Sequence, residues 1–431
     1  MFKIARSEWK SGQKNKLVEQ FLARPSIDPD AEKVAFDVLA DIRKRGDAAV
    51  SECAAKFDGM TSRVFRISDA EIMAAAKEVD ADFKRNAKEA RKRITAFAKA
   101  GLRKDWSMKT PCGGMLGEKF EPLDRVGVYI PGGAAPLAST SLMTACLAKA
   151  AGVPEIVGCS PAGADGKVNP YIVYALHLAG VNEMYRIGGI QAIGAMAYGT
   201  RKIPKVQKIV GPGNAYVTAA KKLVYGEVSL DSVAGPSEIA ILDDGSVPAR
   251  FVAADLLSQA EHGTGLEKSL LVTTSKRQAT AVEKEIWKQA AELSRTEMIV
   301  KVLRQGTLIT TVRNLSEGIE LINRFAAEHL ELLVKQPRKV LKDIHAAGAV
   351  FLGPWTPESA GDFAAGPSHV LPTGGAAAMF SGLTADDFRR RSSIIDLTKK
   401  DLREVLPVIE AFGRVEGLDA HSRSAQIRFE D

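Results

Sequence analysis

The chain reads as an α/β protein with two doubly wound, Rossmann-like parallel-sheet units and small helical terminal segments. Three observations predict this. From Val126, short β-rich runs alternate with helical stretches. A second series of the same kind begins after Ala234-Gly235-Pro236-Ser237. The residues flanking the two series carry helical patterning instead. We divide the chain into an N-terminal arm (1–25), a helical part (26–125), a first α/β unit (126–236), a second (237–381) and a C-terminal tail (382–431).

The elements follow from local chemistry. Asp28-Pro29-Asp30 opens a helix that runs to about Lys44, and Gly46 ends it. Ser68-Asp69-Ala70-Glu71 is a capping box ahead of an Ala-rich run. Asp80 starts a long amphipathic helix ending near Gly101. The first series predicts strands Val126–Ile130, Glu155–Cys159, Met184–Ile187 and Lys208–Val210, with helices such as Leu137–Ala151 and Gln191–Thr200 between them. The second predicts strands Glu238–Leu242, Ser269–Thr274, Thr307–Val312, His329–Val334 and Ala349–Leu352. Past Pro372 the alternation stops. Thr384-Ala385-Asp386-Asp387 starts a helix and Thr398–Phe412 forms another. Such a tail has little core of its own and would need to dock elsewhere.

Composition narrows the function. With 431 residues, 45% hydrophobic and 26% charged, the chain has an ordinary globular make-up. It holds no apolar run of membrane-spanning length. Met1-Phe2-Lys3-Ile4-Ala5-Arg6 lacks the apolar core of a secretory signal, so a cytoplasmic protein is expected. The net charge of +7 is spread out, and its densest cluster, Lys84 to Arg93, has no interleaved aromatics. That is a solvated helix face, and nucleic acid is not expected as a partner. Cys53, Cys112, Cys146 and Cys159 have no C-x-x-C spacing, which argues against a thiolate metal site.

Three glycine turns follow strands of the first unit: Pro131-Gly132-Gly133, Gly188-Gly189-Ile190-Gln191 and Gly211-Pro212-Gly213-Asn214. Turns at the carboxyl ends of adjacent strands would line one crevice, where such sheets bind ligands. The third nearly matches a dinucleotide fingerprint, with Tyr216 in place of the last glycine and Asp231 near the spacing of a ribose-binding acid.

The second unit carries the reactive side chains. Asp255, Gln259 and His262 fall at i, i+4 and i+7, on one face of a helix begun near Pro248 and stopped at Gly263. An imidazole and an amide oxygen one turn apart can reach a single cation, and they also suit a plain helix end with a capping histidine. Of six histidines, His177 and His345 read as structural, and His262, His329, His369 and His421 lie in polar or glycine-bearing contexts. Adjacent Glu328 and His329 are either a surface pair or two bases with different tasks. Asp362 after Gly361 is a metal ligand or a turn residue. Mixed N and O donors without thiolate suit Zn²⁺, and also Mn²⁺ or Co²⁺.

The chain resembles the histidinol dehydrogenase family. The resemblance runs from Arg45-Gly46-Asp47 to His421. It rests on Val128-Tyr129-Ile130-Pro131-Gly132-Gly133, Gly211-Pro212-Gly213-Asn214, Ala234-Gly235-Pro236-Ser237-Glu238, Ser258-Gln259-Ala260-Glu261-His262, Glu328-His329-Leu330, Pro357-Glu358-Ser359-Ala360-Gly361-Asp362 and His369-Val370-Leu371-Pro372-Thr373. It implies an aldehyde-dehydrogenase-like fold and oxidation of L-histidinol to L-histidine in two steps, with NAD⁺ as acceptor and one Zn²⁺. Gln259, His262, Asp362 and His421 match the zinc ligands, and Glu328 and His329 the two bases. Tyr129, Gln191 and Asn214 match positions that contact NAD. Ser237, Glu358 and Glu416 match substrate contacts, and the zinc ligands and His329 face the same substrate. Residues 126–236 would bind the nucleotide and 237–381 would bear the metal. The family is a homodimer with exchanged terminal segments, so Glu416 and His421 would enter the partner's site.

One triplet departs from the pattern. Gly366-Pro367-Ser368 precedes His369, where many members carry Gly-Thr-Asn or Gly-Ser-Asn. This keeps a dehydrogenase of another small polar alcohol, such as a sulfonated diol, as the alternative. A cysteine nucleophile at Cys159 is the competing route for the aldehyde step.

Overall fold

The computed structural model describes residues 2–23, 28–60, 62, 64–132, 136–163, 165–232, 235–262 and 265–430. Among these the strands, in chain order, are β1 (Ala5–Glu8), β2 (Trp106–Lys109), β3 (Met115–Pro122), β4 (Arg125–Tyr129), β5 (Glu155–Cys159), β6 (Glu183–Tyr185) and β7 (Lys208–Val210). They continue as β8 (Ser229–Leu230), β9 (Glu238–Asp243), β10 (Lys268–Thr273), β11 (Thr307–Thr311), β12 (His329–Leu333), β13 (Ala349–Leu352) and β14 (Arg389–Asp396). The chain divides into two compact units, residues 1–101 with 124–388, and residues 102–123 with 389–431.

The larger unit holds two parallel sheets, ordered β6-β5-β4-β7-β8 and β1-β11-β10-β9-β12-β13. Their inner strands β4, β5, β9, β10, β11 and β12 are largely buried, as sheets covered by helices on both faces require. Each strand predicted in the two series is present to within a residue or two at either end. The early helices form as their caps dictate. Asp28 caps Pro29–Arg45, Ser68 and Glu71 close a capping box on Asp69–Glu78, and Asp80 caps Ala81–Ala100.

Two expectations are corrected. The first hundred residues are not all helical, because β1 pairs in parallel with β11 at the sheet edge. Its four residues are too short to carry a pattern of their own, so a partner 303 positions away decides their conformation. The terminal segments are not purely helical either. In the smaller unit β14-β3-β2 form an antiparallel sheet. Thr384 to Asp387 lead into and form only a single 3₁₀ turn, Ala385–Phe388, before β14 begins. β14 is mostly exposed and has no apolar alternation; its eight-residue register with β3 is what makes it a strand. Gly133, Ala234, the helix stop at Gly263 and the boundary near residue 25 lie outside the described residues.

Candidate active site

Parallel strands alternate their side chains, and β12 uses this. Leu330 and Leu332 join one core cluster, while His329 and Glu331 point to the other face with Leu333. His329 opens the strand and is buried. Its Nδ1–H donates to the Glu238 carbonyl at 3.2 Å, which turns Nε2 toward Asp362 Oδ1, also 3.2 Å away. Glu328, just before the strand, accepts the Glu238 backbone N–H at 2.9 Å through Oε2. The site therefore sits at the amino ends of β9 and β12.

The helix Ala249–Ala260 presents Ser258 and Gln259 to the same place, and both hold Glu358. Ser258 Oγ donates to Glu358 Oε2 at 2.6 Å, and Gln259 Nε2 donates to Oε1 at 2.7 Å. Glu358 begins a short helical turn that continues into the π-helical turn Gly361–Ala365 carrying Asp362. The Asp362 carbonyl accepts from His369 Nδ1 at 3.0 Å, and His369 Nε2 accepts from the Thr140 hydroxyl at 3.0 Å. Thr140 lies in the first turn of the helix Ala138–Ala151 that follows β4, so the first α/β unit meets the site there. His262 follows the helix in a turn and reaches solvent.

Burial dominates the electrostatics. Desolvation pushes Glu328 and Glu358 up to about 8. Burial works against a charged His329, but the Glu328, Asp362 and Glu358 carboxylates outweigh it and raise its pKa to about 10. Asp362 goes the other way: despite burial, the His329 hydrogen bond and charge hold it well below the usual carboxylate range. Desolvation lowers His262 and His369, with Asp362 opposing in each.

The donors fit a divalent cation. Gln259 Oε1 is fully buried and has no hydrogen-bond partner, because Glu358 fixes Nε2 and leaves the oxygen free. An orphaned buried carbonyl costs about 1–3 kcal/mol unless something binds it. Asp362 supplies a carboxylate, and His262 is close enough to feel its charge. His329, Glu358 and Asp362 also offer ligand atoms within 4.8 Å of one another. Ser258 and Gln259 already occupy Glu358, so Gln259, His262 and Asp362 are the better donor set.

On the first α/β unit, the Tyr129 hydroxyl ends β4 and accepts from Gly189 N–H at 3.1 Å. Gln191 Nε2 donates to Asp58 Oδ2 at 2.9 Å, and Asn214 caps the helix Ala215–Val224 through Val217 N–H. All three stand at carboxyl ends of strands or at helix starts. Nearby, a cavity of about 500 Å³ is lined by Gly132, Pro161, Lys167, Asn169 and Arg186. Asp231 is not a free ribose acceptor, because it forms a buried ion pair with Lys221 and accepts Gly211 N–H at 2.7 Å. Cys159 is fully buried with its thiol pushed up, which removes it as a nucleophile.

Of the remaining candidates, Ser237 leads into β9 and its carbonyl accepts Lys268 N–H at 3.2 Å. Ser368, in the departing triplet, is buried and donates to the Met143 carbonyl at 3.0 Å, so it packs against a helix. Glu416 and His421 lie in the smaller unit, both exposed on it. Sequence reasoning missed Ser258, Glu331 and Asp58. A charged residue inside the otherwise apolar β12 was the available signal for Glu331.

Fold and site define an α/β enzyme with an adjacent, buried Glu–His pair and N/O donors at one sheet's amino ends and glycine turns at the other's carboxyl ends. The chain matches the family described as histidinol dehydrogenase over residues 23–429. It is 44% identical to the histidinol dehydrogenase of Heliobacterium mobile, over 95% of this chain and 99% of that one. It is likewise 44% identical to that of Bradyrhizobium diazoefficiens, over 94% of each. The crystal structure of histidinol dehydrogenase from Elizabethkingia anophelis superposes with a TM-score of 0.94 at 34% identity, covering 99% of this chain and 98% of that one. An acetylating aldehyde dehydrogenase from Geobacillus thermoglucosidasius shares the fold at a TM-score of 0.50 and 13% identity, covering 89% of this chain and 97% of that one. The chain belongs to the histidinol dehydrogenase family and is an oxidoreductase.

Proposed function

We propose that the protein oxidises L-histidinol to L-histidine through the aldehyde, with NAD⁺ as acceptor at a zinc centre, as the last step of histidine biosynthesis. The observation that carries this is the buried Gln259 oxygen without a donor, beside Asp362 and the Glu328–His329 pair. Zn²⁺, held by Gln259, His262 and Asp362, would orient the substrate imidazole and amine. NAD⁺, at Tyr129, Gln191 and Asn214, would accept hydride in each step.

The side chains divide the proton work. With Nδ1 committed to the Glu238 carbonyl, Nε2 is the atom through which His329 would take the alcohol proton, once a cation on Asp362 draws off the carboxylate charge that otherwise keeps the imidazole protonated. Glu328 keeps Oε1 clear of its Glu238 bond and, in the ionised form that burial shifts toward pH values of about 8 and above, would activate the water that hydrates the aldehyde. Glu358 offsets the substrate ammonium, and Ser237 contributes a further contact.

In this reading the enzyme is cytoplasmic, and no described helix is long and apolar enough to cross a membrane. Residues 126–236 bind the nucleotide, 237–381 bear the metal, and 382–431 dock on a second copy. That copy would place its Glu416 and His421 in the site, completing the ligand set.

Product stoichiometry tests the chemistry: two NADH should form per histidinol, and one NADH with accumulating aldehyde would contradict it. Mixing tests the assembly. A His421→Ala chain combined with a His329→Gln chain should regain activity in heterodimers, because both lesions then fall in one site and leave the other whole. Verified heterodimers with no activity would place the tail on its own subunit.

A further inference from the structure

β12 carries a carboxyl where a buried strand calls for an apolar residue. Glu331 is 0% exposed, between Leu330 and Leu332. Burying a carboxyl in a sheet costs several kcal/mol unless its oxygens are used. Glu331 Oε1 accepts the backbone N–H of Glu358 at 2.8 Å. Its Oε2 has no hydrogen-bond partner, and burial, with the neighbouring Asp255 carboxyl adding to it, raises the Glu331 pKa well above the usual carboxylate range. Asp255 lies one turn before Ser258 and Gln259 on the same helix face. The Glu358 turn is thus held from two sides. Ser258 and Gln259 grip its side chain, and Glu331 grips its backbone. That grip sets which atom of Gln259 is free, and Asp362 follows one turn later.

We propose that Glu331 is a positioning residue that fixes the Glu358–Asp362 turn and thereby aims Gln259 Oε1 and Asp362 at a common cation. This rests on the zinc reading above. Partners behind a metal's ligands typically contribute 10–100-fold to its affinity.

The test is zinc binding by the metal-stripped full-length protein, measured by chelator competition, with histidinol kinetics alongside. Glu331→Gln keeps an oxygen for the Glu358 N–H and offers an amide to Asp255, so its zinc affinity should stay within about threefold of wild type. Glu331→Met keeps length but loses the acceptor, and should bind zinc about 10–100-fold more weakly, with KM for histidinol rising more than kcat falls. If Glu331→Met does not fold, Glu331→Asp replaces it, since its carboxyl falls a methylene short and the same loss is expected. A Met or Asp variant with wild-type zinc affinity would overturn the inference, even if its Tm fell, since that outcome marks plain packing. So would a Gln variant as weak as Met. Wild-type protein that binds no zinc would sink the zinc reading itself, and would be seen before any variant was made.

Discussion

The two parallel sheets of the larger unit use opposite ends. The β6-β5-β4-β7-β8 sheet offers its carboxyl ends, where glycine turns lead into helix starts at Gly189 and Ala215. Helix N-termini carry partial positive charge and free N–H groups, which suit a pyrophosphate. The β1-β11-β10-β9-β12-β13 sheet offers its amino ends, where the helix Ala249–Ala260 ends one residue past Gln259. Helix C-termini carry partial negative charge, and buried carboxyls crowd there, which suits a metal ion and a substrate ammonium. One fold plan, run in opposite directions, thus presents helix N-termini at one end and a helix C-terminus among buried carboxyls at the other. They meet where Thr140 bonds to His369.

If this division is right, damage at one end should spare the ligand of the other. His329→Gln should have the largest effect, lowering kcat by about 10²–10⁴-fold with zinc content and NAD⁺ affinity unchanged. Stopped-flow turnover with NAD⁺ titration would check it, and an equal loss of NAD⁺ binding would break the comparison. Asp362→Asn comes next. A ligand should matter more than its support, so zinc affinity should fall by more than about tenfold, again with NAD⁺ binding intact. Gly211→Ala attacks the opposite end. Gly211 has φ of +121°, and an added Cβ would stand 2.0 Å from the Tyr129 carbonyl oxygen. Strain alone costs about 1–3 kcal/mol, so thermal melts should show a lower Tm and NAD⁺ titration a weaker affinity, while zinc binding holds.

The two ends were not equally legible in sequence. The glycine turns and the β–α alternation are local, since buried parallel strands are apolar runs punctuated by turns. Gln259, His262, Glu328, His329 and Asp362 stood out as polar groups beside apolar runs, but their pattern alone left a helix cap, a surface pair and a turn residue as open readings, and only the family resemblance gave them roles. What local pattern could not give was long-range pairing. β14 is a strand because β3, some 270 residues earlier, accepts it. Asp58 matters through a bond to Gln191, 133 positions away. Asp231 looked like a ribose acceptor until its charge proved to be taken by Lys221. That the second sheet works from its amino ends was likewise invisible, because it depends on where the helices return.

The smallest expected effect concerns a buried acid at the opposite end of the six-stranded sheet from the candidate site. Asp243 ends β9, at the carboxyl side of the six-stranded sheet, away from the site. Burial pushes its pKa up to about 6, against hydrogen bonds from Thr273, Gly245 and Gln278. A carboxyl with a raised folded-state pKa binds its proton more tightly in the native chain than in the unfolded one. Its contribution to stability is therefore present at low pH and lost as pH rises through about 6. Between about pH 5 and about pH 7 the wild type should lose on the order of 1 kcal/mol from this group. Asp243→Asn does not titrate. It should be the less stable protein at about pH 5, since its amide N–H₂ faces Gln278, and the gap should narrow by about 1 kcal/mol by pH 7. Urea unfolding at both pH values reads this directly. A gap that stays constant would mean the carboxyl titrates normally, and a fall in kcat would mean that the far end of the sheet also serves the reaction.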